Sequence, residues 1–160
     1  MDYRIATAAD LDALLHSRLE TLRDVNHLDS CYCFNDDFRA ACGKYFLEGD
    51  HSTVLAEDGG QVVGCATMCY VEVMPTFSHP SGKRAHLMNV YTVPARRGEG
   101  IASRMVSMLM EEAWSRGVTE ISLDATESGR PLYRKLGFHD SNEYMVLEKQ
   151  PCCFRERRSE

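Results

Sequence analysis

The 160-residue sequence lacks several features that would place it in other classes of protein. It contains no run of about 18 apolar residues, the length that a membrane-spanning helix needs. Its first 20 residues carry acids throughout instead of the uninterrupted apolar stretch of a signal peptide. We therefore expect a cytoplasmic protein that has no membrane partner.

Metal-binding cysteine patterns are also missing. Seven cysteines are present, but none stands in the C-x-x-C spacing of a zinc site. Reduced thiols and no bound metal are expected. The net charge of −6 argues against nonspecific nucleic-acid binding and is compatible with a cationic substrate.

Two common phosphate-binding motifs are absent as well. A Walker loop requires Gly-Lys-Ser/Thr, and no lysine occurs between Arg84 and Lys135. A Rossmann fingerprint belongs near the start of the first βαβ unit, whereas Gly98, Gly100 and Ser103 lie past the middle of the chain. Neither nucleotide-binding class is therefore predicted.

The patterns that are present predict an α/β domain with a mixed sheet. Leucines recur at helical spacing after Thr7 and Asp10, whose separation resembles a capping box. Strand periods surround the turn residues "DGG", which predicts a hairpin. One domain is expected over 1–150 and a flexible tail over 151–160. The predicted elements are a strand at 3–6, helices at 11–22 and 36–47, hairpin strands at 52–57 and 61–73, a strand at 85–93, a helix at 101–116, a strand at 119–125, a helix at 129–136 and a strand at 143–148.

The stretch "VYTVPARRGEGIAS" joins the predicted strand at 85–93 to the helix that follows it. Gly98 and Gly100 remove side chains at the start of the helix, so backbone N–H groups can approach a ligand closely. Arg96 and Arg97 add positive charge. The stretch predicts a site for a phosphate or pyrophosphate, and the alternative is a glycine turn with solvated arginines.

Two motifs together resemble the GNAT family of N-acetyltransferases. "RGEGIA", Arg97 to Ala102, is similar to that family's Arg/Gln-x-x-Gly-x-Gly/Ala pyrophosphate loop. "LYRKLGF", Leu132 to Phe138, is similar to its second signature, Leu-Tyr-x-x-x-Gly-Phe. The order, spacing and strand-helix context of the motifs make the match specific over 86–138. The resemblance implies a mostly antiparallel twisted sheet, flanked by helices and splayed between the fourth and fifth strands.

The resemblance also implies an acetyl-CoA site. Its pyrophosphate is expected on the amides of the loop, and its pantetheine beside the backbone near Tyr91 and Val93. Thr126 stands where many members of the family have asparagine, and its hydroxyl is a further candidate contact. Ser128 is expected to cap the next helix. The cofactor-binding residues implied in this way are Tyr91, Thr92, Val93, Arg97, Gly98, Glu99, Gly100, Ile101, Ala102, Ser103 and Thr126.

Acetyl transfer to an amine requires a proton donor for the leaving sulfur and removal of a proton from the amine. Tyr133, in the second motif, resembles the family's general acid; the alternative is a core tyrosine. A lysine-like amine of pKa about 10.4 is neutral in only about 4 molecules per 10,000 at pH 7, so a base has a large effect. Glu72, His86 and, through water, Asn89 are the candidates for that step.

The resemblance implies an N-acetyltransferase that moves acetyl from acetyl-CoA to a primary amine by direct attack in a ternary complex. The alternative is a noncatalytic acyl-CoA-binding module. The acceptor, a small molecule or a peptide, cannot be named, because its specificity is expected to lie in segments 26–37 and 72–85. A homodimer is expected, as in many members of the family.

Overall fold

The structure, a computed structural model, describes residues 1–141 and 145–149. No helix in those ranges is both long and apolar enough to cross a membrane. Two 3-10 turns, Ala8–Asp10 and Pro94–Arg96, lie before the first long helix and after the fourth strand. The regular elements are β1 Asp2–Ile5, α1 Leu11–Val25, α2 Asp36–Glu48, β2 His51–Asp58, β3 Gln61–Glu72, β4 Lys83–Thr92, α3 Ile101–Ser115, β5 Glu120–Leu123 and α4 Arg130–Lys135.

The predicted element order agrees with the structure up to α4. The strand predicted at 143–148 does not: residues 143 and 144 lie outside the described residues, and residues 145–149 form no strand. The tail predicted at 151–160 also lies outside them. A strand-like pattern is insufficient there because strand formation depends on a partner edge, which sequence does not supply.

The strands form one mixed sheet in the order β1-β2-β3-β4-β5. Neighbours are antiparallel except β4 and β5, which run parallel. The parallel pairing covers only Arg84 to Leu87 of β4, opposite Glu120 to Leu123. The rest of β4 therefore has no β5 residue beside it, and the mixed, splayed α/β fold is confirmed.

Local sequence signals explain where several elements begin. Gly59 and Gly60 connect β2 to β3 with φ of 57° and 79°, values that glycine adopts without steric cost. The Thr7 backbone N–H donates to Asp10 Oδ2 at 2.8 Å, which confirms the capping arrangement before α1. Asn35 Oδ1 accepts from the Phe38 N–H at 2.8 Å and caps α2.

Helices cover both faces of the sheet. On one face α3 buries Met105 and Leu109 against a cluster that includes Ala66 and Leu87. On the other face Leu14 of α1 packs with Leu55 and Cys65. These are called the α3 face and the α1 face below. Both helices are fixed by apolar burial, so the loops at their ends have defined positions relative to β4.

A β-bulge interrupts the pairing of β3 with β4. Cys65 lies opposite Tyr91 and Thr67 lies opposite Met88, so two residues of β4 face one residue of β3. Asn89, inside this bulge, has φ of 57°. The bulge begins just beyond Leu87, where β5 stops pairing. The irregular part of β4 and the gap in the sheet thus coincide.

Candidate functional site

The loop between β4 and α3 presents an open set of backbone donors. Gly98 and Gly100 have φ of 85° and 81°, and a Cβ built on either would meet no heavy atom within 4 Å. The first intrahelical hydrogen bond of α3 runs from the Arg104 N–H to the Gly100 carbonyl at 3.0 Å. The preceding N–H groups of Ile101, Ala102 and Ser103 therefore have no acceptor within the helix. Together with the positive end of the helix dipole, these groups can hold a phosphate.

The two arginines of the loop are already engaged by the protein. Arg97 donates through Nε to the Thr92 carbonyl at 3.0 Å and through Nη2 to Asp24 Oδ2 at 2.9 Å. Arg96 pairs with Asp58 and with Glu99. The side chain of Arg97 consequently ties the loop to the end of α1. The backbone amides remain the principal candidate for anion binding.

The backbone hydrogen-bonding groups at the end of β4 are not all available to a ligand. The Val93 N–H donates to the Val63 carbonyl at 2.9 Å, so it is already used within the sheet. In an antiparallel ladder the hydrogen-bonding groups alternate in direction. Those of Thr92 therefore point away from β3, towards the side from which β5 has diverged. The Thr92 carbonyl already accepts from Arg97 Nε, so a ligand strand beside β4 would meet the Thr92 N–H rather than the Val93 N–H.

A recess of about 330 Å³ opens between the end of α1 and the end of β4. Tyr91 and Arg97 form its β4 side, and Glu20 and Asp24 form its α1 side. Residues 27, 28 and 30 also line it, so part of the segment predicted to confer acceptor specificity, 26–37, reaches the same place. The recess is large enough for a small polar molecule and borders the loop between β4 and α3.

Tyr133 lies on α4 with its ring half-buried. The ring makes an edge contact with Phe138, with a centroid distance of 5.9 Å, and packs against the α3-face core. Burial raises the pKa of Tyr133, so the phenol keeps its proton at neutral pH. None of the described residues hydrogen-bonds its hydroxyl, which leaves that group free to donate to a ligand.

His86 is held between two residues at the start of the gap. Its Nδ1 is 2.8 Å from Ser122 Oγ on β5, and its Nε2 is 3.5 Å from Asp124 Oδ2. The Ser122 hydroxyl donates to the Ala85 carbonyl, so its oxygen is free to accept the Nδ1 proton. In this tautomer Nε2 carries the lone pair of the ring. Ser122 and Asp124 were not predicted as partners, because their contact depends on the register of β4 with β5.

Two other predicted site residues lie elsewhere or are already engaged. Glu72 is exposed and sits opposite Lys83, about 17 Å along β4 from Met88 at about 3.4 Å per residue. Thr126 Oγ1 accepts the Gly129 N–H at 3.2 Å at the start of α4. The prediction that Ser128 caps this helix is wrong, because Gly129 occupies the N-cap position, and its N–H donates to the Thr126 carbonyl at 3.1 Å as well as to Thr126 Oγ1.

Two buried polar atoms without hydrogen-bond partners flank the gap. They are Asn89 Oδ1 and Thr92 Oγ1, and the described residues include only one other such atom, Arg84 Nε. Leaving a buried acceptor unpaired costs about 1–3 kcal/mol. Asn89 was considered only as a water-binding residue at the sequence level, because its strand reads as a regular one. Its positive φ and burial single it out in the structure.

Comparisons with known proteins agree with this geometry. The family model described as "Acetyltransferase (GNAT) family" matches residues 14–138. A crystal structure of a predicted acetyltransferase with acetyl-CoA, from Clostridium acetobutylicum, superposes with a TM-score of 0.82 and 31% identity, covering 92% of this chain and 95% of that one. The acetyl-CoA in that structure supports an acetyl-CoA site in this fold.

Curated relatives add named activities. A glucosamine 6-phosphate N-acetyltransferase from Trypanosoma brucei brucei is 30% identical over 89 residues, which are 56% of this chain and 58% of that protein. A rice protein from Oryza sativa subsp. japonica, named probable glucosamine 6-phosphate N-acetyltransferase 2, is 32% identical over 135 residues, covering 83% of this chain and 76% of its own length. The family model and the rice relative both span most of the chain. The chain belongs to the GNAT family of acetyl-CoA-dependent N-acetyltransferases.

Proposed function

We propose that this chain transfers acetyl from acetyl-CoA to a primary amine by direct attack in a ternary complex. The observation that carries the proposal is the open loop at Gly98 to Ser103, which follows the part of β4 that has no β5 neighbour. The loop offers a phosphate site, and the gap offers room for an extended ligand beside β4. The named activity of two relatives makes glucosamine 6-phosphate the first acceptor to test.

The proposed chemistry assigns one role to each of two side chains. The amine attacks the thioester carbonyl, the C–N bond forms and the C–S bond breaks. His86 Nε2 takes a proton from nitrogen, and the Tyr133 hydroxyl donates to the departing sulfur. With reference pKa values of about 10 for tyrosine and 8.5 for a thiol, full proton transfer is uphill by roughly 2 kcal/mol in water. Burial of Tyr133 favours the phenol further, so hydrogen-bond donation is its main contribution.

Release of free thiol from acetyl-CoA in the presence of glucosamine 6-phosphate tests the proposal directly. Mass spectrometry of the product should show one added acetyl group on nitrogen. A noncatalytic acyl-CoA-binding module would bind acetyl-CoA and release no thiol above the background hydrolysis rate. If a panel of other primary amines, including peptides with free amino groups, were equally inactive, the transferase proposal would be rejected.

His86→Gln should lower kcat by about 10- to 100-fold while leaving the affinity for acetyl-CoA nearly unchanged. The reason is that the amide retains hydrogen bonding at the ring position but cannot accept the proton. Steady-state rates measured from pH 6 to 9, with calorimetric binding in parallel, check this expectation. Glu72→Gln is the matched control, because Glu72 is an exposed carboxylate at the end of β3, opposite Lys83 and three positions along the strand pair from His86. A larger rate loss in Glu72→Gln than in His86→Gln would assign the role of general base to Glu72 instead of His86.

A homodimer is also proposed. In the part of the chain that the structure describes, β5 ends the sheet and has no strand on its outer edge. Met145, Val146 and Leu147 are 100%, 81% and 98% exposed. An open edge and an apolar segment both favour association with a second copy. Sedimentation should therefore give a species near twice the chain mass of 18.1 kDa, and only the monomer mass at micromolar concentrations would contradict it.

A cytoplasmic location is proposed from the state of the thiols. The five cysteines in the described ranges are all free. Free thiols persist in reducing compartments, which supports a cytoplasmic setting. Burial raises the pKa of Cys65 to about 12, so this thiol stays neutral and unreactive at physiological pH.

A further inference from the structure

The side chain of Asn89 is buried at the bulge of β4 with half of its hydrogen-bonding capacity unused. Only 6% of the residue is exposed. Its Nδ2 lies 3.5 Å from Cys65 Sγ, and its Oδ1 has no partner. Turning the amide by 180° would exchange the two atoms and leave the nitrogen without a partner instead. In either orientation the carboxamide can accept or donate one more bond to a bound molecule.

Asn89 lies on the same face of the sheet as His86. Its contact with Cys65 places its side chain towards α1, because Cys65 belongs to the cluster under that helix. His86 lies opposite Cys69, and Met88 lies opposite Thr67. Cys65, Thr67 and Cys69 are every second residue of β3, so they share one face of the sheet. His86, Met88 and Asn89 therefore look towards the α1 face, beside the stretch where β5 has diverged.

The spacing of His86 and Asn89 along β4 is compatible with one nitrogen atom shared by both side chains. Three residues of a strand span about 10 Å. A histidine side chain, an asparagine side chain and a nitrogen hydrogen-bonded to both can bridge that length. Met88 lies between them and is 38% exposed. Its flexible side chain can move aside to admit a ligand to Oδ1.

We propose that Asn89 determines specificity for primary amines by accepting a hydrogen bond from the attacking nitrogen. A primary amine has a lone pair and two N–H groups. One N–H would bond to Asn89 Oδ1 and the other to His86 Nε2, which aims the lone pair at the thioester carbon. A secondary amine has one N–H and cannot satisfy both acceptors. This inference rests on the proposed acetyl transfer.

The proton and bond changes balance in this arrangement. As the C–N bond forms, nitrogen becomes more acidic and gives one proton to His86 Nε2. The C–S bond breaks, and the sulfur is protonated by Tyr133 or by solvent. Exchange with solvent returns His86 and Tyr133 to their starting states. The N–H held by Asn89 is not transferred and stays on the product amide.

The test compares two acceptors, glucosamine 6-phosphate and its N-methyl derivative, across four proteins. The wild type should prefer the primary amine by roughly a hundredfold or more in kcat/KM. Asn89→Gly retains access to positive φ and removes the amide, so it should lose roughly 10- to 100-fold with the primary amine and much less with the N-methyl amine. Asn89→Asp keeps an oxygen at the same place and should restore most of the preference.

Asn89→Ala separates the backbone from the side chain. Alanine lacks the amide and also disfavours the left-handed conformation, so it should be worse than glycine in thermal stability but similar in acceptor preference. If Asn89→Gly kept the wild-type preference while Asn89→Ala lost activity, the residue would serve the bulge alone and the inference would be overturned. If the wild type acetylated neither acceptor nor any primary amine of the panel, the proposed function would fail and this inference with it. Acetyl-CoA binding by all four proteins confirms that each is folded.

Discussion

Tyr133→Phe should reduce kcat by roughly tenfold to a thousandfold while acetyl-CoA affinity stays within about twofold of the wild type. In the proposed mechanism the hydroxyl donates to the departing sulfur, an interaction made chiefly in the transition state. No described residue hydrogen-bonds this hydroxyl, so its removal leaves no protein group unpaired. The ring keeps its contact with Phe138, and thermal stability should change little. Steady-state acetylation and calorimetric binding measure the two effects separately.

Tyr3→Phe is the matched control for this change. Tyr3 also packs at the edge of the α3-face core, but it lies on β1, remote from the gap. Removal of the Tyr3 hydroxyl should leave the acetylation rate unchanged. Wild-type turnover in Tyr133→Phe would remove Tyr133 from the mechanism and leave solvent to protonate the sulfur. A loss of cofactor affinity without any measurable turnover in the wild type would instead favour a binding module.

The pH profile gives a second measure of Tyr133. Its phenol acts in the protonated form, and burial raises its pKa above the ordinary value of about 10. The donor is therefore present throughout the neutral and mildly alkaline range and is lost only as pH rises through the raised pKa. No fall in rate caused by this group is expected below about pH 10. If the rate does fall below about pH 10, measuring the same profile in Tyr133→Phe identifies the cause, because a fall that persists in this variant comes from another group.

Gly100→Val should abolish the stabilisation that acetyl-CoA confers. In the wild type, ligand at a hundredfold excess over Kd adds about 2.7 kcal/mol to the free energy of unfolding. A Cβ at position 100 would meet no protein atom within 4 Å, so it would occupy the open space over the first turn of α3. The proposed pyrophosphate site requires that space to be open. Thermal melting with and without acetyl-CoA measures the loss.

Backbone strain must be separated from this blockage, and Gly60→Val does so. Gly60 has φ of 79°, close to the 81° of Gly100, and a Cβ there is equally free of contacts. Both variants should lower the melting temperature of the unliganded protein by a similar amount. Only the Gly100 variant should lose the shift caused by acetyl-CoA. A full shift in Gly100→Val would show that the pyrophosphate lies elsewhere.

The elements were predictable from sequence where the determinants are local. The hairpin followed from Asp58, Gly59 and Gly60, and the start of α1 followed from Thr7 and Asp10. The open backbone loop before α3 followed from two glycines between a strand and a helix, and anion binding there stays a prediction. Each of these depends on the conformational preferences of a few adjacent residues.

The chemistry around His86 was not predictable to the same degree. Its partners Ser122 and Asp124 lie 36 and 38 positions away in the sequence, and only the parallel register of β4 with β5 brings them together. Asn89 was hidden for another reason. A positive φ in the middle of a β-branched and aromatic stretch has no local signal, since the tertiary structure imposes it.

The bulge gives β4 one supernumerary residue. Leu87 and Val90 both pack on the α3-face core, although they are three positions apart. In a regular strand, residues share a face only when an even number of positions separates them. Thr92 follows Val90 onto that face, because its partner Gly64 abuts Met105 and Ile101 of α3. Excising Asn89 would thus restore simple alternation and leave every core side chain on its present side. The alternation of core side chains does not require this extra residue, so its contribution lies in the irregular backbone that it creates beside the gap in the sheet.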